Sequence, residues 1–353
     1  PNIDCRQDGA KIGGNRAGYL FNSSVAGIDE TDALLIIGSN PRIEAAVLNA
    51  RIRRNWLSSS MPIGVVGPKI DLTYDADFLG ECPSILEMLA DGTHKFSAKL
   101  KKAKRPMIII GMGAVARADG AAMLGKSRQI AEACGVVTNG WNGFNMLHTA
   151  AARVGGLDIG FVPARGGMDI AAMAAAAKAG CLDVLWSLGA DEIDYADFAS
   201  SFIIYQGHHG DSGAHHADIV LPGAAYTEKD GIYLNTEGRV QYANRAAFPP
   251  GQAREDWAII RAVSGAIGKS IGMDSLSEVR DALYEVLPHF STPDQISAAK
   301  WTKFGGRAKL RAQPVTSVIE NFYTTCAISR ASETMAECCR AQQIDAVAAT
   351  AAE

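Results

Sequence analysis

The stretch GHHGDSGAHHADIVLPGAAYTEKDGIYLNTEGRVQ, residues 207–241, decides the fold of this chain. Residues 217–221 are a short apolar run that ends at Pro222 and Gly223, which predicts a buried strand followed by a turn. Residues 232–234 predict a second strand, and we expect the two strands to be neighbours. The segment is dense in histidine and charged side chains, and a buried polar group without a partner costs about 1–3 kcal/mol. These side chains therefore form either a site or a hydrogen-bonded joint.

A β-turn-α unit is predicted nearer the start of the chain. Residues 33–37 (ALLII) are an apolar strand, residues 38–41 (GSNP) are a turn, and residues 42–56 have helical spacing. Ser39 or Asn40 is a good N-cap residue, and Pro41 suits the first helical turn. The expected apolar stripe of this helix consists of Ile43, Val47, Ala50, Trp56 and Leu57.

Strands and helices alternate along most of the sequence. This alternation predicts doubly wound parallel sheets with helices on both faces, an α/β architecture with two such domains and a helical C-terminal region. The further predicted strands are residues 63–66, 107–110, 136–138, 184–188 and 202–205. The further predicted helices are residues 83–90, 96–103, 119–134, 145–154, 169–179, 255–267, 276–287 and 328–343. Residues 288–314 are expected to be extended on the surface, and residues 345–353 to be a frayed tail.

We divide the chain into a first α/β domain at residues 1–115, a second at residues 116–270 and a helical and extended region at residues 271–353. With 353 residues the chain is long enough for such domains. Its start at Pro1, with neither a basic nor an apolar leader, is typical of an interior piece of a longer protein.

Composition narrows the classes of function. The formal net charge is −4 and the sequence pI is about 6.0, so nucleic acid is not an expected partner. The longest apolar runs are much shorter than the 18 or so residues that a membrane span needs, so no span is predicted. The seven cysteines contain no C-x-x-C pair. This pattern predicts scattered, reduced thiols, with neither zinc nor an iron–sulfur cluster held by this chain.

The GSNP turn is a candidate anion site. Gly38, Ser39 and Asn40 precede a predicted helix, and the N-terminus of a helix offers free N–H groups and a positive dipole end to a phosphate. A capped helix without a ligand shows the same residues. The spacing therefore leaves both interpretations open.

A second glycine-rich turn follows the strand at residues 107–110. Residues 111–116 (GMGAVA) fit the dinucleotide pattern G-x-G-x-x-A. That pattern also needs a carboxylate near the end of the next strand, where this chain has Thr138, Asn139 and Gly140. NADH binding at this turn is therefore not expected.

Four histidines, His208, His209, His215 and His216, raise the possibility of a metal site. Adjacent residues of a strand point to opposite faces, so we expect no pair to share an ion. The loop is predicted to be hydrogen-bonded internally or to face a partner, and to hold no metal. The sequence also lacks G-x-S-x-G, a P-loop lysine and H-E-x-x-H, so no catalytic residue is predicted.

Residues 217–241 (ADIVLPGAAYTEKDGIYLNTEGRVQ) resemble the strand-and-loop signature of the molybdopterin oxidoreductase superfamily. One branch is more similar still: the large iron–sulfur subunits of the proton-pumping NADH:quinone oxidoreductases, respiratory complex I. Phrases similar to that branch recur at residues 22–56, 203–214, 249–262 and 321–339. They span nearly the whole chain in the expected order.

The resemblance implies a cofactor-free scaffold domain that supports electron transfer from NADH to quinone but is not catalytic alone. The [2Fe–2S] and [4Fe–4S] clusters of the family lie in upstream domains. The implied partners are other peripheral-arm subunits, namely the flavin-containing NADH-oxidising subunit and the quinone-proximal subunits. The implied location is the cytoplasmic face of the bacterial inner membrane or the matrix side of the mitochondrial inner membrane.

The alternative is a fragment of a molybdopterin guanine dinucleotide enzyme. In that case Ser39 and Asn40 bind phosphate and the loop at Gly111 faces the pterin. Molybdopterin enzymes often place Gln or His after the GMG turn, where this chain has Ala116 and Arg117. This departure favours the scaffold interpretation.

Overall fold

The computed structural model describes residues 2–319 and 323–350, the side chains of 343–350 excepted. Its strands are β1 (Ala33–Ile37), β2 (Ile63–Val66), β3 (Asp77–Gly80), β4 (Pro106–Ile110), β5 (Val137–Thr138), β6 (Trp141–Asn142), β7 (Phe144–Met146), β8 (Val184–Leu188), β9 (Phe202–Gly207), β10 (Ile219–Pro222), β11 (Gly231–Leu234) and β12 (Val240–Ala243). Its helices are α1 (Pro41–Glu44), α2 (Ala46–Ser59), α3 (Ser84–Asp91), α4 (Lys95–Lys102), α5 (Met112–Val115), α6 (Gly120–Ala133), α7 (Arg153–Asp158), α8 (Ile170–Lys178), α9 (Ser212–His216), α10 (Asp256–Ala266), α11 (Leu276–Val286), α12 (Ala327–Arg330) and α13 (Glu333–Thr350).

The larger sheet has five parallel strands in the order β3-β2-β1-β4-β7. Both faces of β1 are covered: Leu35 and Ile37 pack in one apolar cluster, while Leu34 and Ile36 pack in the other. This alternation explains why every residue of β1 is apolar and buried. From β1 the chain winds outward first through β2 and β3, then through β4 and β7. The carboxyl ends of β1 and β4 therefore form a topological switch point, where open α/β sheets have their ligand crevice.

The smaller sheet has three parallel strands in the order β10-β9-β8. The predicted α/β class with two parallel sheets is confirmed, and the helices α2, α3, α4, α6, α8, α10 and α11 lie close to their predicted positions.

The predicted domain boundary at residue 115 stays a prediction. The first sheet takes its last strand, β7, from residues beyond that boundary.

The predicted apolar stripe of the first helix is wrong. Val47 is 88% exposed and Leu57 is 58% exposed. The chain breaks between α1 and α2 at Ala45, which has φ −151°, so the phase of a continuous helix does not apply. Asn49 and Asn55 lie on the buried face instead, because Asn49 donates to the Leu72 carbonyl and Asn55 to the carbonyls of Ile28 and Thr31.

Two predictions for residues 207–241 are wrong. Strand β10 is largely exposed, with Ile219 at 44% and Val220 at 49%, because it lies at the edge of its sheet. Strand β11 does not neighbour β10. It pairs antiparallel with β12, with Ile232 opposite Tyr242, as a separate hairpin.

The predicted helix at residues 145–154 is also wrong. Residues 144–146 form β7, in which Phe144 and Met146 are fully buried, and helix α7 begins only at Arg153. Asn145 is buried too, and its side-chain oxygen accepts from Ser23 N over 3.0 Å. The strand predicted at residues 136–138 is the short β5, which pairs antiparallel with β6.

Residues 288–314 form no helix or strand beyond a 3-10 turn at Pro288–Ser291. They are nevertheless anchored to the first sheet's helices, because Phe304 is 7% exposed. The helix predicted at residues 328–343 is divided into α12 and α13. The tail predicted to fray continues α13 as far as Thr350, and residues 351–353 lie outside the described part.

Candidate functional site

The two glycine-rich turns meet at the switch point. Gly111 N donates to Ile37 O over 2.9 Å, and Gly113 N donates to Gly38 O over 3.0 Å. Gly38 has φ +61°, and a Cβ at this position collides with the backbone of Gly113 and Ala114. Gly38 therefore supplies both the left-handed turn and the close backbone approach. The structure thus brings together the GSNP turn and the GMG turn, which are far apart in sequence.

The anion position of the GSNP turn is taken by the chain's own Glu44. Ser39 Oγ donates to Glu44 Oε2 over 2.7 Å, and Asn40 N donates to Glu44 Oε1 over 3.0 Å. Asn40 is the N-cap residue of α1 and Pro41 is at the first helical position, as predicted, although the Asn40 side chain accepts no hydrogen bond from a helical N–H. The donors that would attract a phosphate already bind a carboxylate.

A closing segment, residues 311–317, lies across the same crevice. Val315 is fully buried, and its N–H donates to Glu81 O over 2.9 Å. The Thr316 carbonyl lies so close to Gly113 that it occupies the space of a Cβ. Ser317 Oγ donates to Glu44 Oε1 over 3.3 Å. The closing segment therefore contacts both turns.

Arg117 holds the closing segment in place. Its Nη1 donates to Pro314 O over 2.6 Å, and its Nε donates to Asp119 Oδ1 over 2.9 Å. Asp119 Oδ2 in turn accepts from Arg311 N over 2.7 Å. Burial acts to raise the pKa of Asp119, but the hydrogen bonds from Arg117 and Arg311 N outweigh it and hold that pKa below its usual value. The position predicted to face a pterin thus fastens the chain to itself.

These residues do not fit a molybdopterin dinucleotide. A phosphate at the GSNP turn would meet the Glu44 carboxylate, and like charges at such distances repel. A pterin beside Gly113 would meet the Thr316 carbonyl. The crevice of the fold is present, and the protein's own residues fill it.

The histidine loop is hydrogen-bonded internally, as predicted. His208 Nδ1 and His209 Nδ1 are 2.6 Å apart, so one donates to the other. His215 Nδ1 is bonded to Asp211 O and His216 Nδ1 to Ser212 O, each over 2.8 Å. The expectation that adjacent histidines diverge on a strand is wrong, because His208 and His209 follow β9 and the other two lie on α9.

Metal binding by these histidines stays a matter of prediction. Within residues 2–319 and 323–342, no three His, Cys, Asp or Glu side chains are arranged to hold an ion. Burial, then the neighbouring His209 and Lys229, lowers the pKa of His208. The thiols of Cys5, Cys82, Cys134 and Cys181 are free.

Sequence reasoning missed a buried carboxylate that joins three distant segments. The Asp158 side chain is 1% exposed. It accepts from Tyr19 Oη over 2.7 Å, from Arg16 Nε over 3.0 Å and from His289 Nε2 over 2.9 Å. Burial and the Asp158 carboxylate raise the pKa of Tyr19. No local signal marks this cluster, because its three segments lie more than a hundred residues apart.

Glu44 was also missed, although a signal existed. A carboxylate four residues after Asn40 can reach back to the turn that starts its helix, as the Glu of a capping box does. The Glu44 side chain makes this contact with Asn40 N. The GSNP pattern alone favours an external anion or a cap by Ser39 or Asn40, and it does not include the glutamate that accepts from the turn.

Comparison with known proteins identifies the class of protein to which this fold and crevice belong. A model of the molybdopterin oxidoreductase family matches residues 1–266, so the chain belongs to that family. A model of the C-terminal region of the NADH-ubiquinone oxidoreductase G subunit matches residues 291–338. The predicted resemblance to the large subunit of NADH:quinone oxidoreductase is confirmed.

Two relatives make the resemblance specific. The chain is 45% identical over 340 residues to the mitochondrial NADH-ubiquinone oxidoreductase 78 kDa subunit of Neurospora crassa, covering 93% of this chain and 44% of that protein. It is 44% identical over 329 residues to the NADH-quinone oxidoreductase G subunit of Rickettsia felis, covering 93% of this chain and 47% of that protein. The chain therefore spans less than half the length of these relatives.

Among solved structures, acetylene hydratase from Pelobacter acetylenicus is similar, with 14% identity and a TM-score of 0.46 over 72% of this chain and 51% of that one. Among the helices of the described residues, none is both long enough and apolar enough to cross a membrane.

Proposed function

We propose that this chain is a cofactor-free scaffold portion of the large iron–sulfur subunit of an NADH:quinone oxidoreductase. It supports electron transfer from NADH to quinone by holding other parts in place and carries no catalytic residue of its own. The similarity to the G subunits of these complexes over 93% of the chain supports this role. A fold alone does not establish a function, so the proposal also depends on what fills the crevice.

One observation carries the proposal: Glu44 and the closing segment fill the switch-point crevice, where open α/β sheets bind their ligands. The Glu44 carboxylate satisfies the donors of the GSNP turn. The Thr316 carbonyl lies against Gly113, and the preceding residue, Val315, is fully buried. An enzyme of this family needs that crevice open to its cofactor. Here the fold is kept and the crevice is used for internal packing.

The remaining assignments belong to the same proposal. Iron–sulfur clusters of the [2Fe–2S] and [4Fe–4S] types lie in a part of the full subunit outside this chain. The partners are the flavin-containing NADH-oxidising subunit and the quinone-proximal subunits of the peripheral arm. The complex places the chain on the cytoplasmic face of the bacterial inner membrane or the matrix side of the mitochondrial one.

Cofactor content tests the proposal directly. The purified 353-residue chain is analysed for molybdenum and tungsten by mass spectrometry, and for pterin by fluorescence after oxidation. We expect amounts far below one per chain. About one pterin per chain, lost on substitution of Gly113 by a bulkier residue, would instead establish the alternative, a fragment of a molybdopterin guanine dinucleotide enzyme.

A further inference from the structure

A run of exposed cations lies between helices α11 and α12. Residues 300–311 (KWTKFGGRAKLR), here called the basic segment, contain five Lys or Arg residues and no carboxylate, in a chain whose formal net charge is −4. All five cationic residues are exposed. Within the described part of the chain, none of the five side chains forms a salt bridge or a hydrogen bond. These residues are Lys300, Lys303, Arg307, Lys309 and Arg311.

The backbone of the basic segment is fixed against helix α6. Phe304 is buried and packs edge-on against Trp301, with ring centroids 5.0 Å apart. Gly305, at φ +75°, lies directly against the backbone of Gly125, and Gly306 N donates to Ala121 O. The apolar side chains therefore point inward while the cations point to solvent. The backbone that carries the charges is held in position before any partner binds, which lowers the entropy cost of binding.

Two carboxylates that contact the basic segment, Glu132 and Asp119, do not pair with its cationic side chains. Glu132 Oε1 accepts from Arg128 Nη1 over 2.5 Å and from Trp301 Nε1 over 3.3 Å. Asp119 is paired with Arg117 and with the backbone N–H of Arg311. Both carboxylates are thus engaged by other groups. The positive charge of the basic segment remains available to an external partner.

We propose that the basic segment docks on an acidic surface of a protein partner. The inference rests on the proposed function in one respect: it places the chain within an assembly. Complementary charge steers encounter and sets the register of an interface. Rows of exposed cations on a fixed backbone match rows of Asp and Glu on a partner surface.

Other polyanions fit less well. A membrane surface favours apolar side chains beside the cations, whereas no exposed large apolar side chain lies between Lys300 and Arg311. Single-stranded nucleic acid favours exposed aromatic rings for stacking, whereas Phe304 is buried and Trp301 half-buried. The aromatic residues of the segment anchor it inward and are not available to a base.

The test measures binding of a fluorescein-labelled oligo-glutamate peptide to the 353-residue chain by fluorescence anisotropy, with an oligo-glutamine peptide as the uncharged control. Three proteins are compared with the parent chain. K303Q/R307Q/K309Q removes three charges, and K303R/R307K/K309R keeps them. K69Q/R165Q/K269Q removes three exposed, unpaired cations from other parts of the chain.

We expect saturable oligo-glutamate binding at low salt that K303Q/R307Q/K309Q weakens roughly tenfold, the sum of three surface ion pairs. The charge-keeping variant and K69Q/R165Q/K269Q are expected to stay within about twofold of the parent, and high salt to weaken binding to the parent chain. Circular dichroism verifies that all variants fold.

Three outcomes overturn the inference. One is no saturable binding of oligo-glutamate, and another is equal weakening by the two charge-removing triple substitutions. The third is tighter binding to phosphatidylglycerol vesicles or to single-stranded DNA than to oligo-glutamate, lost in K303Q/R307Q/K309Q. None of these depends on pterin or molybdenum content, so failure of the docking inference is distinguishable from failure of the proposed scaffold function.

Discussion

Ser317 and Glu44 are 273 residues apart in the chain and are joined by a hydrogen bond in which Ser317 Oγ donates to Glu44 Oε1 over 3.3 Å. Through this contact the C-terminal part of the chain reaches the turn that follows its first strand. Glu44 also accepts from Ser39 Oγ and Asn40 N. The Glu44 carboxylate thus accepts hydrogen bonds from the donors of the GSNP turn and also holds the closing segment.

Glu44→Ala is expected to destabilise the chain by about 1–3 kcal/mol, because it leaves the donors of Ser39 and Asn40 in a buried place without an acceptor. Glu44→Gln keeps one acceptor and should cost less. Urea unfolding followed by circular dichroism measures both. Glu87→Gln, at an exposed glutamate of α3, is the matched control and should change stability little. Equal stability of the Glu44→Ala and Glu87→Gln proteins contradicts the role given to Glu44.

Ser39→Ala is expected to cost at most about 0.5–2 kcal/mol, the range of a lost cap-type hydrogen bond. The reason is that Ser39 Oγ donates to a side chain of the same protein, Glu44. In an assembled NADH:quinone oxidoreductase that carries the substitution, electron flow from NADH to quinone should be unchanged. A selective loss of turnover with normal assembly counts against the scaffold role.

Gly113→Ala is expected to displace the closing segment. The new Cβ collides with the Thr316 carbonyl, a backbone atom that cannot yield as a side chain does. Gly113 has no left-handed φ, so the effect is steric, and overpacking of this kind costs about 1–3 kcal/mol. Limited proteolysis should show faster cleavage near residues 311–317.

Gly155→Ala is the control for this experiment. A Cβ at Gly155 has no heavy atom within 4 Å and no left-handed φ to strain it. This variant should be cleaved at the parent rate. If Gly113→Ala is cleaved no faster than Gly155→Ala, the closing segment is not held at Gly113.

We expect the buried side chain of His148 to make the folded chain less stable in mild acid. Burial lowers the pKa of His148 to about 4, and its Nε2 is bonded to Tyr19 O over 2.7 Å. The unfolded chain therefore binds a proton near pH 6.5 that the folded chain accepts only near pH 4, so stability falls as the pH decreases through this window. Between pH 7 and pH 5 the expected loss from this residue is about 1–2 kcal/mol.

Urea unfolding at pH 7 and pH 5 measures this effect. His148→Gln removes the titrating group and should show a smaller loss of stability between the two pH values than the parent chain. His215→Gln removes an exposed histidine and should behave like the parent chain. A His148→Gln protein with the parent pH dependence contradicts the assignment to His148.

Much of the fold could be predicted because it depends on local pattern. The runs ALLII and PMIII in β1 and β4 are buried on both faces, and a continuous apolar run is the signature of a central parallel strand. Predictions failed where long-range contacts outweighed local preference. Residues 144–146 became β7 because their neighbour β4 offered an open edge, and Asn145 found a partner in Ser23.

By itself the sequence determined most of the parallel strands, the glycine turns and the family, since each depends on residue types within a short window. Only the tertiary structure decided how the crevice is used. It brought Glu44 to the donors of the GSNP turn and laid Thr316 against Gly113. These contacts join segments about two hundred residues or more apart, or turn a side chain back on its own helix, and no periodicity in the sequence encodes them. Whether a crevice holds a ligand or the protein itself is decided by the groups that reach it in three dimensions.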